Sequence, residues 1–197
     1  EAVARGLQRI VHVSSMGVYA ASLIDINPDS PVGPESGAYT ASKIAADAVA
    51  VAHQDAGHPV VVVCPGGILG PLDPSPELSD SMATMRDWIR MRTTAIPRTI
   101  RFGFVDVRDV AAVCVGSLTG GEAPARHLLA GHINAMVDML GMAAELTGRK
   151  VRVMGSPLWT ITLGGIVCDL VSRTTGNQMP LTGETARITV GNARAGG

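Results

Sequence analysis

Val60-Val61-Val62-Val63-Cys64 is the stretch that most restricts what this chain can become. Five apolar residues in a row, without polar alternation, predict a strand covered on both faces, and such strands belong to parallel sheets flanked by helices. The run empties into Pro65-Gly66-Gly67-Ile68-Leu69-Gly70-Pro71, a small-residue turn at the carboxyl end of a strand. Open α/β sheets place their ligands at such ends. Arg9 to Val13 predicts a shorter strand that ends in the polar turn Ser14-Ser15-Met16-Gly17-Val18-Tyr19, and His127 to Ala130 predicts a third. Asn27 to Gly37, rich in Pro, Gly, Asp and Ser, reads as loop. Tyr39 to Gln54 reads as an alanine-rich helix that Gly57 ends. Strand, loop, helix and strand in this order predict a crossover between parallel neighbours.

The remaining pattern keeps alternating. Glu1 to Gly6 looks like the end of a helix with Gly6 as its stop. Ser75 to Arg92 suits an amphipathic helix that offers Met82, Met85, Trp88, Ile89 and Met91 to one broad face. Phe102 to Val107 alternates like a strand, and Asp106 or Asp109 can cap a helix running to Leu118 before Gly120-Gly121. Asn134 can cap a helix through Leu146, stopped by Gly148. Val151 to Met154 suits a small strand, and Pro157 and Gly183 each precede a predicted helix. Gly191 to Gly197 reads as a flexible tail. The fold class is therefore α/β with a mainly parallel sheet.

Composition removes several functions. With 46% hydrophobic and 17% charged residues, the 197-residue chain reads as globular, not disordered. Its formal charge is −1 and its basic residues, apart from the adjacent Arg149 and Lys150, are scattered singly, so no phosphate-tracking stripe forms and nucleic acid is not expected as a partner. Cys64, Cys114 and Cys168 lie far apart among apolar neighbours without a C-x-x-C, which suits reduced cysteines in a cytoplasmic protein. The five histidines (12, 53, 58, 127 and 132) show no metal-ligand spacing, so no metal site is expected. Leu158 to Val171 is apolar but too short to span a bilayer, so a buried or surface-docking helix is expected instead.

Chemistry concentrates at Tyr39 and Lys43. Four residues apart, they share one face of a helix about one turn from each other. A phenol is a poor base at neutral pH, and an ammonium one turn away favours its phenolate. Such a pair can move a proton on and off an oxygen, as carbonyl reduction or alcohol oxidation requires. The same spacing also arises from a ring packed beside a lysine stem. The chain holds only two tyrosines and two lysines, so an accidental match is uncommon here.

With Ser15, Tyr39 and Lys43 set between these strands, the sequence resembles the extended short-chain dehydrogenase/reductase family. That family includes NAD-dependent epimerases and dehydratases, dihydroflavonol-type reductases and 3β-hydroxysteroid dehydrogenases. The segments that carry the resemblance are Val11 to Tyr19, Tyr39-Thr40-Ala41-Ser42-Lys43, Cys64 to Pro71 and Phe104 to Ala111. It extends from Glu1 to about Gly183. The resemblance implies a Rossmann-like fold, with 1–72 and 104–132 as the remaining part of a dinucleotide-binding domain. Residues 73–103 and 133–190 would form the substrate-binding part, and 191–197 the tail. It implies catalytic roles for Ser15, Tyr39 and Lys43, with Ser15 polarising the substrate oxygen and Lys43 also binding the nicotinamide ribose. Val13, Ser14, Tyr39, Lys43, Pro65, Gly66, Gly67 and Ile68 would bind NAD or NADP. Met16, Gly17, Met85 and Trp88 would face the substrate. A homodimer, built largely on the Tyr39–Gln54 helix, is also implied.

The sequence departs from the family in one respect: no G-x-x-G-x-x-G follows a strand. By resemblance Glu1 falls just before the fifth strand, so the sequence looks like the carboxyl-terminal portion of a longer enzyme, with three parallel strands and one open sheet edge. The expected function is hydride transfer at a carbonyl or alcohol carbon with Tyr39 as acid/base, and the sequence leaves open whether this portion turns over by itself, since the adenosine half of the cofactor site is missing. A non-catalytic NAD(P)-binding sensor or scaffold of the same fold is the alternative. A Ser15 hydrolase ranks below both because no G-x-S-x-G elbow surrounds that serine. Met82, Met85, Trp88, Met91 and Phe102 favour an apolar carbonyl or sterol-like alcohol, whereas Arg86, Arg90, Arg92, Arg98 and Arg101 could clamp the diphosphate of a nucleotide sugar.

Overall fold

A computed structural model describes residues 1–19, 25–35, 37–73, 79–90, 93–123, 125–176 and 182–195. In chain order its elements are β1 (Ile10–Val13), α1 (Ala38–Asp55), β2 (Val60–Pro65), β3 (Gly67–Leu69), α2 (Asp80–Arg90), β4 (Thr93–Ile96), β5 (Arg101–Asp106) and α3 (Val107–Thr119), then β6 (Ala125–Leu129), β7 (His132–Ala135), α4 (Met136–Thr147), β8 (Arg152–Gly155), α5 (Trp159–Thr175) and α6 (Gly183–Ala195). The fold is α/β with parallel strand pairs throughout the named registers, as the alternation of patterns predicts. The chain divides into two compact units, Glu1–Ala20 with Asp25–Gly70 and Gly103–His132, and Ala21–Ile24 with Pro71–Phe102 and Ile133–Gly197.

The first unit is organised by β2. All its residues are buried, and it lies between β1 and β6 in a parallel sheet ordered β1-β2-β6. Ile10 pairs with Val60 on one side, and Val61 pairs with Ala125 on the other. Both α1 and α3 pack on β2, which accounts for its bare apolar run. Each valine side chain removed from water here contributes about 1.5–3 kcal/mol before the entropy of ordering is subtracted. Val18, Tyr19, Ala50, Val60, Val62 and Cys64 form the packed cluster beneath α1.

Three short strands are absent from the sequence pattern, Thr93–Ile96, His132–Ala135 and Gly67–Leu69, and the last bears on the site. Gly67–Leu69 is read there as a turn, yet it pairs in parallel with Phe104–Asp106. Gly67 and the preceding Gly66 explain how: a Cβ on Gly66 would come within 2.7 Å of the Gly103 carbonyl oxygen, and one on Gly67 within 2.7 Å of the Phe104 ring. The chain approaches its neighbour where a side chain would block it. Strand β5 runs straight into α3, whose cap is Asp106, with its carboxylate accepting the Arg108 N–H at 2.8 Å. Arg108 and the capping bonds hold the Asp106 pKa down to about 2.

In the second unit β4 pairs in parallel with β8, α2 packs on α4 and α5 packs on α6. Met136 and Leu140 are its most buried large side chains. Helix α5 meets α6 closely at Gly165, where a Cβ would come within 2.7 Å of the Ala186 Cβ. Asp169 of α5 accepts the Gly183 N–H at 3.0 Å and so caps α6. Two sequence expectations need correction. Asn134 does not cap α4, because it is still extended in β7; the cap is Ala135, and the Met136 N–H is taken by the Ile100 carbonyl instead. Helix α6 includes Gly191 to Ala195, residues the sequence pattern assigns to a tail. Among the described residues no helix is long and apolar enough to cross a membrane, and no group of acidic, histidine or cysteine side chains could hold a metal ion. All three cysteines are free.

Candidate active site

Strand β1 ends at Val13, and the chain turns at once. Ser15 is extended and opens a single 3-10 turn over Met16–Val18. Its hydroxyl oxygen accepts the Gly17 N–H at 3.1 Å, and the Val18 N–H returns to the Ser15 carbonyl at 3.2 Å. Because that hydroxyl accepts here, its own proton remains to be donated elsewhere.

Tyr39 enters from α1. The helix starts where the Thr40 hydroxyl accepts the Gly37 N–H at 3.0 Å, which puts Tyr39 in its first turn with 53% of its surface exposed. The serine and the tyrosine meet at Gly17: a Cβ built there would lie 3.3 Å from Ser15 Oγ and 4.0 Å from Tyr39 Cε1. A hydroxyl and a phenol ring thus border one small space that a larger residue would close. Lys43, half-buried, follows one turn later on the same helix. Its charge reaches His12 on β1, whose pKa is lowered by burial and further by Lys43 and Arg126, against an opposing pull from Asp47.

Four turns along the same face of α1 the pattern continues as Tyr39, Lys43, Asp47 and Gln54. Gln54 donates to the Val60 and Ala125 carbonyls at 2.9 and 3.0 Å. Asp47, only 3% exposed, accepts the Ser14 hydroxyl at 2.6 Å and the Arg126 guanidinium at 2.7 Å. Arg126 comes from β6 and also donates to Tyr19 Oη at 3.1 Å and toward Cys64 Sγ at 3.4 Å. Burial opposes the Arg126 charge, but its hydrogen bonds to Asp47 and Tyr19 outweigh that and raise its pKa. Burial pushes both the Tyr19 phenol and the Cys64 thiol above their ordinary ranges, with the guanidinium pulling the other way.

Sequence reasoning missed Asp47, Arg126 and Tyr19 as parts of this site. A signal existed for the first: an aspartate four residues past Lys43, on the sheet-facing side of an alanine-rich helix, needs a buried partner. Nothing in the pattern pointed to Arg126 as that partner. Ser14, expected to touch a cofactor, has its hydroxyl committed to Asp47 and its N–H to the Val63 carbonyl. Val13 is exposed, and Pro65, Gly66, Gly67 and Ile68 lie at the carboxyl end of β2, where the Gly66 N–H bonds the Leu129 carbonyl. In the second unit Met85 lines a groove of about 350 Å³ with Met82, Ile89, Arg86, Arg90 and Arg149. The side chain of Trp88 lies outside the described residues, as do Met91 and Arg92.

Residues 1–131 match the family described as the NAD dependent epimerase/dehydratase family. The chain is 31% identical to "Sterol demethylase protein B" of Methylococcus capsulatus, an alignment that takes in 75% of this chain and 45% of that one. In structure it resembles a dTDP-glucose 4,6-dehydratase from Streptomyces venezuelae solved with NAD (TM-score 0.60, 23% identity, 79% of this chain and 50% of that one). It also resembles RMD from Pseudomonas aeruginosa complexed with NADPH (TM-score 0.60, 20% identity, 98% and 69%). The chain thus spans less than half the length of the curated relative.

Proposed function

The chain belongs to the NAD dependent epimerase/dehydratase family, and on that premise we propose that its first unit carries the proton-transfer half of an NAD(P)-dependent oxidoreductase site, with Tyr39 as acid/base. The observation that carries the proposal is the convergence of Ser15 Oγ and the Tyr39 ring on Gly17. Around that point lie a hydroxyl with a free proton, a phenol and, one turn on, an ammonium. This donor set fits the nicotinamide and reacting-carbon end of such a cofactor site. No G-x-x-G-x-x-G follows a strand in these residues, so none of them is assigned to the pyrophosphate.

A bound nicotinamide supplies or accepts the hydride. The chain's own part is to manage the oxygen. Ser15 donates a hydrogen bond to the substrate oxygen and draws charge onto it. In reduction Tyr39 gives its proton to that oxygen; in oxidation it takes the proton away. Lys43 faces the charge that appears on the phenol oxygen when the proton has left. Val13 and Pro65 to Ile68, at the strand ends, would lie along the ring.

We further propose an apolar carbonyl or sterol-like alcohol as substrate. The curated relative named for sterol demethylation supports this choice. The nucleotide-sugar dehydratase likeness is below 25% identity and supports the fold alone. A homodimer across α1 belongs to the same proposal, because Ala45, Ala48, Val49 and Ala52 expose a small, apolar outer face.

The test is Tyr39→Phe in the whole protein, with NAD or NADP and either a 3β-hydroxysteroid, followed by nicotinamide absorbance, or dTDP-glucose, followed by chromatography of the sugar-nucleotide product because the hydride is returned within each turnover. Loss of about 10²–10⁴ in kcat with the steroid is the expected result. Turnover that survives the change defeats the acid/base assignment. Turnover of dTDP-glucose alone defeats the apolar substrate. A wild-type protein that binds the cofactor but turns over neither is a sensor or scaffold.

A further inference from the structure

We propose that the buried Asp47–Arg126 ion pair is a positioning device that holds the Ser15 turn at both of its ends and ties it to the helix that carries Tyr39 and Lys43. The proposal rests on the acid/base reading given above. Its first support is the way bonds divide around the pair. Asp47 takes the hydroxyl of Ser14, the residue immediately before Ser15. Arg126 donates to the hydroxyl of Tyr19, the residue immediately after the 3-10 turn. The turn Ser15–Val18 is therefore fastened at its start through the carboxylate and at its finish through the guanidinium, and these two groups are bound to each other at 2.7 Å.

The second support is where the pair is mounted. Asp47 stands one turn beyond Lys43 and two beyond Tyr39 on α1, while Arg126 stands on β6 at the far side of β2. Helix, turn and sheet share one junction. The side chains are 5% and 13% exposed, so water does not compete for their bonds, and charge-assisted bonds of this kind are directional. Hydrocarbon packing beneath α1 would hold the helix down without setting where Ser15 points. The consequence for reaction is geometric: a small drift between hydroxyl and phenol costs far more in rate than in stability.

The experiment removes the two links while leaving the ion pair in place. Ser14→Ala and Tyr19→Phe, each in the whole protein, are followed by amide hydrogen exchange and by kcat and KM in the hydride-transfer assay above. The expected result is about tenfold faster exchange at Gly17, Val18 and Tyr19 or its replacement, with the amides of Val61 to Cys64 unchanged. Turnover falls about tenfold or more in each variant, while the KM for the nicotinamide cofactor stays within about twofold. Unchanged turn amides overturn the proposal. So does equal acceleration in turn and β2, which would mean general loosening. Faster turn amides with wild-type kcat overturn it as well. Tyr39→Phe, run alongside, separates the failures. If that variant keeps its turnover, the acid/base reading is lost and the proposal goes with it. If that variant is dead while Ser14→Ala and Tyr19→Phe turn over normally, only the positioning role is lost.

Discussion

The two units place polar and apolar side chains in opposite ways. In the first, a carboxylate and a guanidinium are enclosed between α1 and the sheet, and every bond around them has a direction. In the second, Trp159, Leu163, Ile166, Val167 and Leu170 stand at least half exposed along one face of α5. Buried polar groups are costly unless satisfied, so where they occur they restrict geometry closely. An exposed apolar face restricts nothing within the unit. The difference teaches where precision resides: beneath Ser15 and Tyr39, in the unit where proton chemistry is proposed.

The comparison can be broken or sharpened by substitution. The largest effect expected is the loss of turnover in Tyr39→Phe, about 10²–10⁴-fold with the urea midpoint little changed. Next is Arg126→Met, which strands the Asp47 carboxylate and should cost about 3–5 kcal/mol in a urea titration; adding Asp47→Leu should return much of it. A loss below about 1 kcal/mol in the single variant would mean that the pair is not holding the first unit together. Leu140→Ala in the second unit removes a fully buried side chain and should cost about 2–5 kcal/mol by purely apolar means. Ile166→Ser on the exposed face should stay within about 0.5 kcal/mol. A large loss there would show that α5 is covered in solution.

The smallest effect concerns pH. The folded pKa of His12 lies below its ordinary 6.5, so the unfolded chain binds this proton first. Stability from this source is present above about pH 6.5 and is lost as pH falls through the folded value. Thermal midpoints across that range should decline less in His12→Gln than in wild type, and equal slopes would remove His12 as the cause.

Much of the fold was legible in residue pattern. The run Val60 to Cys64, the alanine helix, the Asp106 cap and the glycine stops at Gly120 and Gly148 each follow from local chemistry. Tyr39 and Lys43 could be paired because helical spacing alone puts them on one face. The short strand Gly67–Leu69 was not legible, since three residues with two small neighbours carry no period, and its pairing depends on contacts with Phe104. Asn134 looked like a cap because its residue type suits one. The extended strand around it and the Ile100 carbonyl decided otherwise.

The sequence by itself determined the main helices, the longer strands and which groups share a helix face, because period and cap chemistry act within a few residues. Only the tertiary structure decided that an aspartate at position 47 and an arginine at position 126 would close on each other around the Ser15 turn. Those residues are brought together by the parallel crossover that sets α1 over the sheet. Burial in a shared low-dielectric space, which no local pattern encodes, then makes each the other's necessary partner.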